Sequence, residues 1–255
     1  MFIEEYNSLA NSAVKKTSLL KNNFLAYFML SVLAGMFIGL GVILVYTIYG
    51  LCNANPYAKI IMGGAFSAAL SLVIFAGAEL YTSNTMIMGA GILKRKIKFL
   101  SVLKLIIVCY LGNLIGAILL STMFHFSGLN TGITAKVIAE TAQLKMTLPI
   151  EQLFLRGVLC NILVCLAVWC TYKCKSESGK LIMIFWCMLA FFTVGYEHCV
   201  ANMTVMTIAL FKPSGEALSL AGYAYNLAIS TVANLIGGVV FVALPYFIAS
   251  KNTTK

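Results

Sequence analysis

The sequence is poor in the residues on which most soluble proteins and metal sites depend. Charged residues occupy only 10% of its 255 positions, and just eight of them are acidic. A soluble domain carries about a quarter charged residues, so this deficit excludes an ordinary soluble fold. There are two histidines, and none of the eight cysteines forms a CxxC pair. We therefore expect neither a metal site nor a cofactor.

The N-terminus also lacks a basic segment followed by a short apolar run and a small-residue cleavage site, so no cleaved signal peptide is predicted. The net charge of +10 is typical of proteins that bind nucleic acid. The basic residues, however, concentrate between apolar spans, most densely at 94–98, as they do in cytoplasmic loops. This distribution predicts no nucleic-acid partner. It predicts a multi-pass protein of the plasma (inner) membrane, in contact with the lipid bilayer, with both termini in the cytoplasm.

The sequence is rich in long apolar runs: 61% of its residues are apolar, and its mean hydropathy is +0.94. We predict an all-α membrane protein with six spans, because a bilayer requires about 20 apolar residues per helix. The predicted spans are 24–49, 60–80, 99–124, 150–172, 181–194 and 223–250. Residues 1–23 are predicted to form a cytoplasmic interfacial helix, 24–250 a single transmembrane domain, and 251–255 a cytoplasmic tail.

The second and fifth spans are predicted to be broken. The second stops at the polar stretch 81–84 and resumes at 85–93; the fifth stops at 197–202 and resumes at 203–211. The segments around Asn113 and Asn234 share the letters NLIG, which indicates an internal repeat. Two repeats of three spans, at about 24–124 and 150–250, must be inverted relative to each other. Paired broken helices in inverted repeats are typical of a solute path.

Polar side chains at the breaks are the candidate functional residues. Thr82, Ser83 and Asn84 can bind a small anion or cap the following half-helix. His198 can hydrogen-bond to an anion or donate a proton to it, because histidine titrates near neutral pH. A buried His–Glu pair that only joins helices is the structural alternative.

Three further groups of residues have architectural interpretations on the sequence alone. Glu79 and Glu197 occupy corresponding positions, which favours contacts with loop amides or with a neighbouring protomer. Lys145 reads as a solvated external lysine. Phe66 and Leu70 share one helix face and, like other bulky residues there, either pack or line a path that excludes hydrated ions.

Five segments together resemble the formate/nitrite transporter family, most closely its hydrosulfide-channel branch. They are AGAELYTSN (76–84), GNLIGA (112–117), TAQLK (141–145), NILVCLAVW (161–169) and GYEHCVANM (195–203). The resemblance implies an aquaporin-like protomer with one pore, assembled as a homopentamer.

The resemblance also implies roles for individual residues. Thr82, Lys145 and His198 take the pore positions of the family, and Asn161 and Asn202 support the histidine. Lys145 would attract anions and favour proton loss from the imidazole to the substrate. Two apolar constrictions, one on each side of the histidine, would include four residues: Phe66, Leu70, Leu80 and Phe191.

The predicted function is therefore passage of small monovalent anions of weak acids, with hydrosulfide first and formate or nitrite next. A channel for neutral solutes, as in aquaporins, is one alternative, although neither break contains an NPA motif. A membrane enzyme that uses Cys199 or His198 is another alternative. We predict no enzymatic activity, because no metal-ligand spacing or separate carboxylate pair accompanies these residues.

Overall fold

Residues 2–251 are described by a computed structural model in which every regular element is helical. Met1 and residues 252–255, which include most of the predicted tail, lie outside the described residues. The helices are α1 Ile3–Asn22, α2 Phe24–Leu51, α3 Ala58–Leu72, α4 Tyr81–Leu93, α5 Phe99–Phe126, α6 Gly132–Thr147, α7 Ile150–Lys173, α8 Glu177–Val194, α9 Cys199–Phe211, α10 Leu220–Gly238 and α11 Leu244–Ala249. Single π-helical turns extend α3 over Val73–Gly77 and join α10 to α11 over Val239–Ala243.

Six helical segments are long and apolar enough to cross a membrane, as predicted: α2, α3 with its π turn, α5, α7, α8, and α10 through α11. Two of them begin earlier than their apolar runs. Ser176 caps α8 by accepting a hydrogen bond from Gly179 N at 3.1 Å. Ser219 caps α10 in the same way through Gly222 N at 3.0 Å. Serine caps place a helix start several residues ahead of the first hydrophobic stretch.

The two breaks are real but lie earlier in the chain than predicted. At the first break, α3 with its π turn ends at Gly77, whose φ is 80°, and α4 already begins at Tyr81. At the second break, α8 ends at Val194, Gly195 follows with φ 85°, and α9 begins at Cys199. The predicted breaks at 81–84 and 197–202 were therefore wrong in extent, because most of those polar residues form the first turns of the half-helices.

Glycines of the repeated NLIG segments bring helices into close contact. A Cβ on Gly116 in α5 would overlap the Val32 carbonyl of α2. In the second repeat, a Cβ on Gly237 in α10 would come within 2.5 Å of the Val158 carbonyl oxygen of α7. Small residues allow membrane helices to approach backbone to backbone. The same sequence motif thus makes the same helix contact in each half.

Helix α1 packs against protein, not only at a membrane surface. Tyr6, Leu9, Ala10 and Ala13 are fully buried, and α1 contacts α4. The Tyr6 hydroxyl donates to the Ala243 carbonyl at 3.0 Å, within the π turn. A π turn disturbs the regular helical hydrogen-bond ladder, and a side chain from another element can then satisfy a carbonyl there. The amphipathic spacing of this segment thus marks a buried face.

Candidate functional site

Glu197, in the second break, is the centre of a buried ionic network. Its Oε1 accepts from Lys145 Nζ at 2.8 Å, and its Oε2 accepts from Asn202 Nδ2 at 2.7 Å. Its backbone N–H donates to the Arg156 carbonyl at 3.2 Å. The residue is only 3% exposed. The carboxylate therefore joins α6 to α9, and the backbone N–H of the same residue joins them to α7, at the point where the chain is not helical.

Glu79, in the first break, repeats this network. Its Oε1 accepts from Lys16 Nζ of α1 at 2.6 Å, and its Oε2 accepts from Asn84 Nδ2 at 2.9 Å. Its N–H donates to the Leu30 carbonyl at 3.1 Å. The sequence indicated an architectural role for both glutamates but not their lysine partners. Those lysines lie 63 and 52 residues away in the chain, so no local pattern could reveal them.

Lys145 is thus part of the Glu197 network and not a free surface lysine. Burial lowers its pKa, but the negative charge of Glu197 and the hydrogen bond to it more than offset this effect. The resulting pKa lies above the usual lysine value, so the ammonium is charged at neutral pH. The pair carries a positive and a negative charge in one place, which leaves little net charge to attract a distant anion.

The asparagines of the two NLIG segments hold the half-helix starts. Asn113 Oδ1 accepts from Tyr81 N at 2.9 Å, and its Nδ2 donates to the Glu79 carbonyl at 2.9 Å. Asn234 Oδ1 accepts from Cys199 N at 3.0 Å, and its Nδ2 donates to the Glu197 carbonyl at 3.0 Å. A helix start leaves backbone N–H groups without partners, and these amides supply them from a neighbouring helix. The sequence assigned these asparagines to structure, and that is where they lie.

His198 is the N-cap of α9. Its Nδ1 accepts from Ala201 N at 3.1 Å, and its Nε2 lies 3.1 Å from Thr82 Oγ1 in the other half of the molecule. Because Nδ1 is an acceptor, the neutral ring carries its proton on Nε2, directed toward Thr82. The imidazole is 2% exposed. The two broken helices therefore meet in one hydrogen bond.

The other predicted polar residues surround this contact without bonding to the imidazole. Asn161 Nδ2 donates to the Thr82 carbonyl at 3.2 Å and to Thr85 Oγ1 at 2.9 Å. Asn202 bonds Glu197 and Asn226. Within residues 2–251 neither asparagine bonds to the imidazole, but Asn161 holds the backbone of Thr82, which does. The supporting role that the resemblance implies for Asn161 and Asn202 stays a prediction.

Ser83, Thr82 and Asn84 lie in the first turn of α4 and do not supply its N-cap, contrary to one of the two interpretations. Leu80 occupies the N-cap position, and its side chain cannot cap. Ser83 Oγ donates back to the Leu80 carbonyl at 3.1 Å. The capping acceptor comes from a distant helix instead, through Asn113.

Apolar side chains enclose the histidine. The Phe191 ring centre lies 6.0 Å from that of His198 and 5.4 Å from that of Phe66. Leu70 and Leu80 are 1% and 0% exposed. All four residues predicted for the constrictions are thus buried in the interior, and two of them form an aromatic group beside the imidazole.

A cavity of about 280 Å³ reaches this group from the end of the bundle where α6 lies. Its walls include Phe191, Glu197, His198 and Asn202, together with Lys145. No group of three histidine, cysteine, aspartate or glutamate side chains suited to a metal ion occurs within residues 2–251. The site combines the imidazole N–H, the Lys145–Glu197 ion pair and apolar walls, which suits binding and passage of a small polar solute.

A bundle of six spans with two broken helices that meet at a cavity defines a membrane channel or transporter of aquaporin-like architecture. The model of the formate/nitrite transporter family matches residues 4–248, and the chain belongs to that family. It is a transport protein and not an enzyme. The predictions of family, six-span fold and anion channel or transporter are confirmed.

Individual relatives agree with this assignment. The nitrite transporter NirC of Salmonella typhimurium (strain LT2) is 35% identical over 256 residues, which cover 100% of this chain and 94% of the relative. The formate channel BtFdhC of Bacillus thuringiensis is 32% identical over 225 residues, covering 87% and 86%.

Two solved structures are similar as well. One, an FNT family ion channel, is 35% identical with a TM-score of 0.92, covering 97% of this chain and 99% of that one. The other, a pentameric formate channel with formate bound, is 27% identical with a TM-score of 0.75, covering 94% and 98%.

Proposed function

We propose that this protein conducts small monovalent anions of weak acids, with nitrite and formate as the first candidates and hydrosulfide as the third. The observation that supports this most directly is the single imidazole held between two mirrored breaks and reached by a cavity. The relatives named for nitrite and formate transport favour those two substrates. Membership of the hydrosulfide branch stays a prediction from the sequence resemblance.

His198 acts in this proposal as a hydrogen-bond donor to the anion. Its Nε2–H points at Thr82, and an anion that replaces the Thr82 hydroxyl receives the same proton donor. Protonation of the ring would place a second N–H on Nδ1, where the Ala201 N–H already points. Two donors cannot share that position, so an imidazolium must give up the helix cap. This geometry favours hydrogen bonding over proton donation by His198 itself.

The apolar residues beside the histidine provide selectivity. An anion loses most of its hydration when it passes Phe66, Phe191, Leu70 and Leu80, and this loss is costly without a compensating donor. In this proposal the imidazole N–H and the Thr82 hydroxyl offset that cost as hydrogen-bond donors. An anion of a weak acid can also take up a proton on its oxygen or sulfur atom. It then passes the apolar residues as the neutral acid, at a smaller cost in hydration.

We further propose a homopentamer in the plasma membrane with both termini in the cytoplasm. One solved relative is described as pentameric. The basic residues, concentrated at 94–98 and in the other segments assigned to the cytoplasm, support the orientation through the positive-inside rule. Under this orientation the cavity beside α6 opens to the outside.

Flux measurements with purified protein in liposomes test the function. A panel of nitrite, formate, hydrosulfide and chloride across a pH series is expected to show rapid, protein-dependent flux of the first three anions. Water flux without anion flux would replace the proposal with a neutral-solute channel. Product formation from any of these substrates would replace it with an enzyme.

A further inference from the structure

The external cavity contains charges beyond the Lys145–Glu197 pair. Five charged residues line it: Lys59, Glu140, Lys145, Arg156 and Glu197. Three are cationic and two are anionic, so the lining has an excess of positive charge. That excess lies at the mouth through which an anion would enter.

Ion pairing decides which of these cations is free to attract a solute. Lys145 contacts Glu197 at 2.8 Å, and Glu140 has Lys136 at 3.8 Å. Within residues 2–251, neither Lys59 nor Arg156 belongs to an ion pair. Lys145 is therefore largely neutralised by its partner, and the uncompensated positive charge of the cavity resides on the other two cations.

Arg156 is also fixed at the break itself. Its backbone carbonyl accepts from Glu197 N at 3.2 Å, one residue before His198. The guanidinium is exposed, and its recorded side-chain contact is a long one of 3.5 Å from Nη2 to Gln152 Oε1. An arginine has five N–H donors, so most of them stay available.

We propose that Arg156 is the first binding contact for the substrate at the external mouth, and that its guanidinium selects planar anions with two oxygen atoms. The inference rests on the proposed anion function and names the substrate feature that the mouth recognises. A guanidinium offers two parallel N–H groups that match two oxygens on one central atom, as in nitrite and formate. Hydrosulfide and halides present a single acceptor atom, on which the two N–H groups can only converge through bent hydrogen bonds. Lys59 offers only a point charge and gives no such preference.

Half-saturating concentrations for nitrite and for hydrosulfide, measured in liposomes at alkaline pH where hydrosulfide is ionised, test this role. Arg156→Lys keeps the positive charge and removes the two parallel N–H donors of the guanidinium. We expect it to raise the half-saturating nitrite concentration about threefold, as the loss of one screened charge-assisted hydrogen bond. The hydrosulfide value and the maximal nitrite flux should stay unchanged.

Two further variants act as matched comparisons. Lys59→Gln removes a cation from the same cavity and should raise the half-saturating concentrations of both anions by the same factor. Lys212 lies outside the cavity lining, so Lys212→Gln should change neither concentration. The deciding quantity is the half-saturating concentration for nitrite divided by that for hydrosulfide. If this ratio is unaltered in Arg156→Lys, or changes equally in Lys59→Gln, the role of Arg156 is overturned while anion transport stays established. Absence of anion flux through the unmodified protein would instead overturn the proposed function.

Discussion

The Lys145–Glu197 pair is the contact where the role implied by family resemblance and the role shown by geometry differ most. The resemblance implies that Lys145 attracts anions, whereas the structure joins its charge to a buried carboxylate. Lys145→Met should lower anion flux in either case. If the lysine acts mainly by neutralising Glu197, adding Glu197→Gln should restore most of the flux, because no repelling carboxylate then remains beside the path.

The energetic size of the pair follows from its burial. The two side chains are 15% and 5% exposed at an Nζ–Oε1 distance of 2.8 Å. Removing one partner of such a buried pair costs about 3 kcal/mol, because the other charge is left without compensation. The free energy of unfolding should fall by about 3 kcal/mol in each single variant, and by little more than that in the double variant. The expected coupling energy is therefore about 3 kcal/mol.

Denaturant unfolding in detergent measures the stabilities, and liposome flux measures the function. Lys136 and Glu140 provide a matched surface pair, 3.8 Å apart and 67% and 45% exposed, whose coupling should stay below about 1 kcal/mol. The pKa of Lys145 is raised, so the stabilisation linked to its protonation is fully present below the usual lysine range. That stabilisation is lost as the pH rises through the raised value. Flux in the double variant as low as in Lys145→Met would refute the neutralising role and return the lysine to direct attraction.

Three other substitutions test the rest of the site. His198→Phe removes the cap of α9, at a cost of about 1 kcal/mol, and the protein should still fold but show altered conductance or anion selectivity; unchanged transport would remove the imidazole from the path. Thr82→Val should reduce nitrite flux about fivefold, the value of one hydrogen bond of about 1 kcal/mol, while Thr82→Ser should retain it; equal flux in both variants would contradict the role of the hydroxyl. Asn234→Ala should cost about 3 kcal/mol in the free energy of unfolding, because Cys199 N–H and two carbonyls lose buried partners. The exposed Asn55→Ala removes one acceptor, from Tyr57 N at 2.9 Å, and should cost at most about 1 kcal/mol; similar losses for both asparagines would count against the capping role of Asn234.

Hydropathy and repeated letters predicted the architecture because they report short-range physics. Apolar length sets a membrane span, and Gly116 and Gly237 recur because each must let two backbones touch. The starts of the half-helices were placed wrongly for the opposite reason. Tyr81 N and Cys199 N find their acceptors in another span, on Asn113 and Asn234, although His198 also caps α9 locally. A cap that comes from elsewhere in the fold leaves no local signal.

The candidate residues themselves were easier to find than their partners. An ionisable group within an apolar run is conspicuous, so Glu79, Glu197 and His198 were evident from the sequence. Lys16 and Arg156 were not, since one lies in an amphipathic helix and the other within an apolar span. Their significance depends on which carboxylate lies within reach in three dimensions. Within residues 2–251 the structure shows Lys16 paired with Glu79 and Arg156 in no ion pair.

The two copies of the inverted repeat differ at the N-cap position of their half-helices. An offset of 118 residues relates Glu79 to Glu197, and Asn84 to Asn202, and their hydrogen bonds correspond. The same offset relates Leu80 to His198. Both are N-caps at their breaks, but only the histidine accepts from its own half-helix and contacts the opposite one. A symmetric scaffold thus provides two equivalent openings in the helices. Because histidine replaces leucine at this position, one half supplies an imidazole that bonds to the other half, and under the proposed function this ring is the donor to the anion.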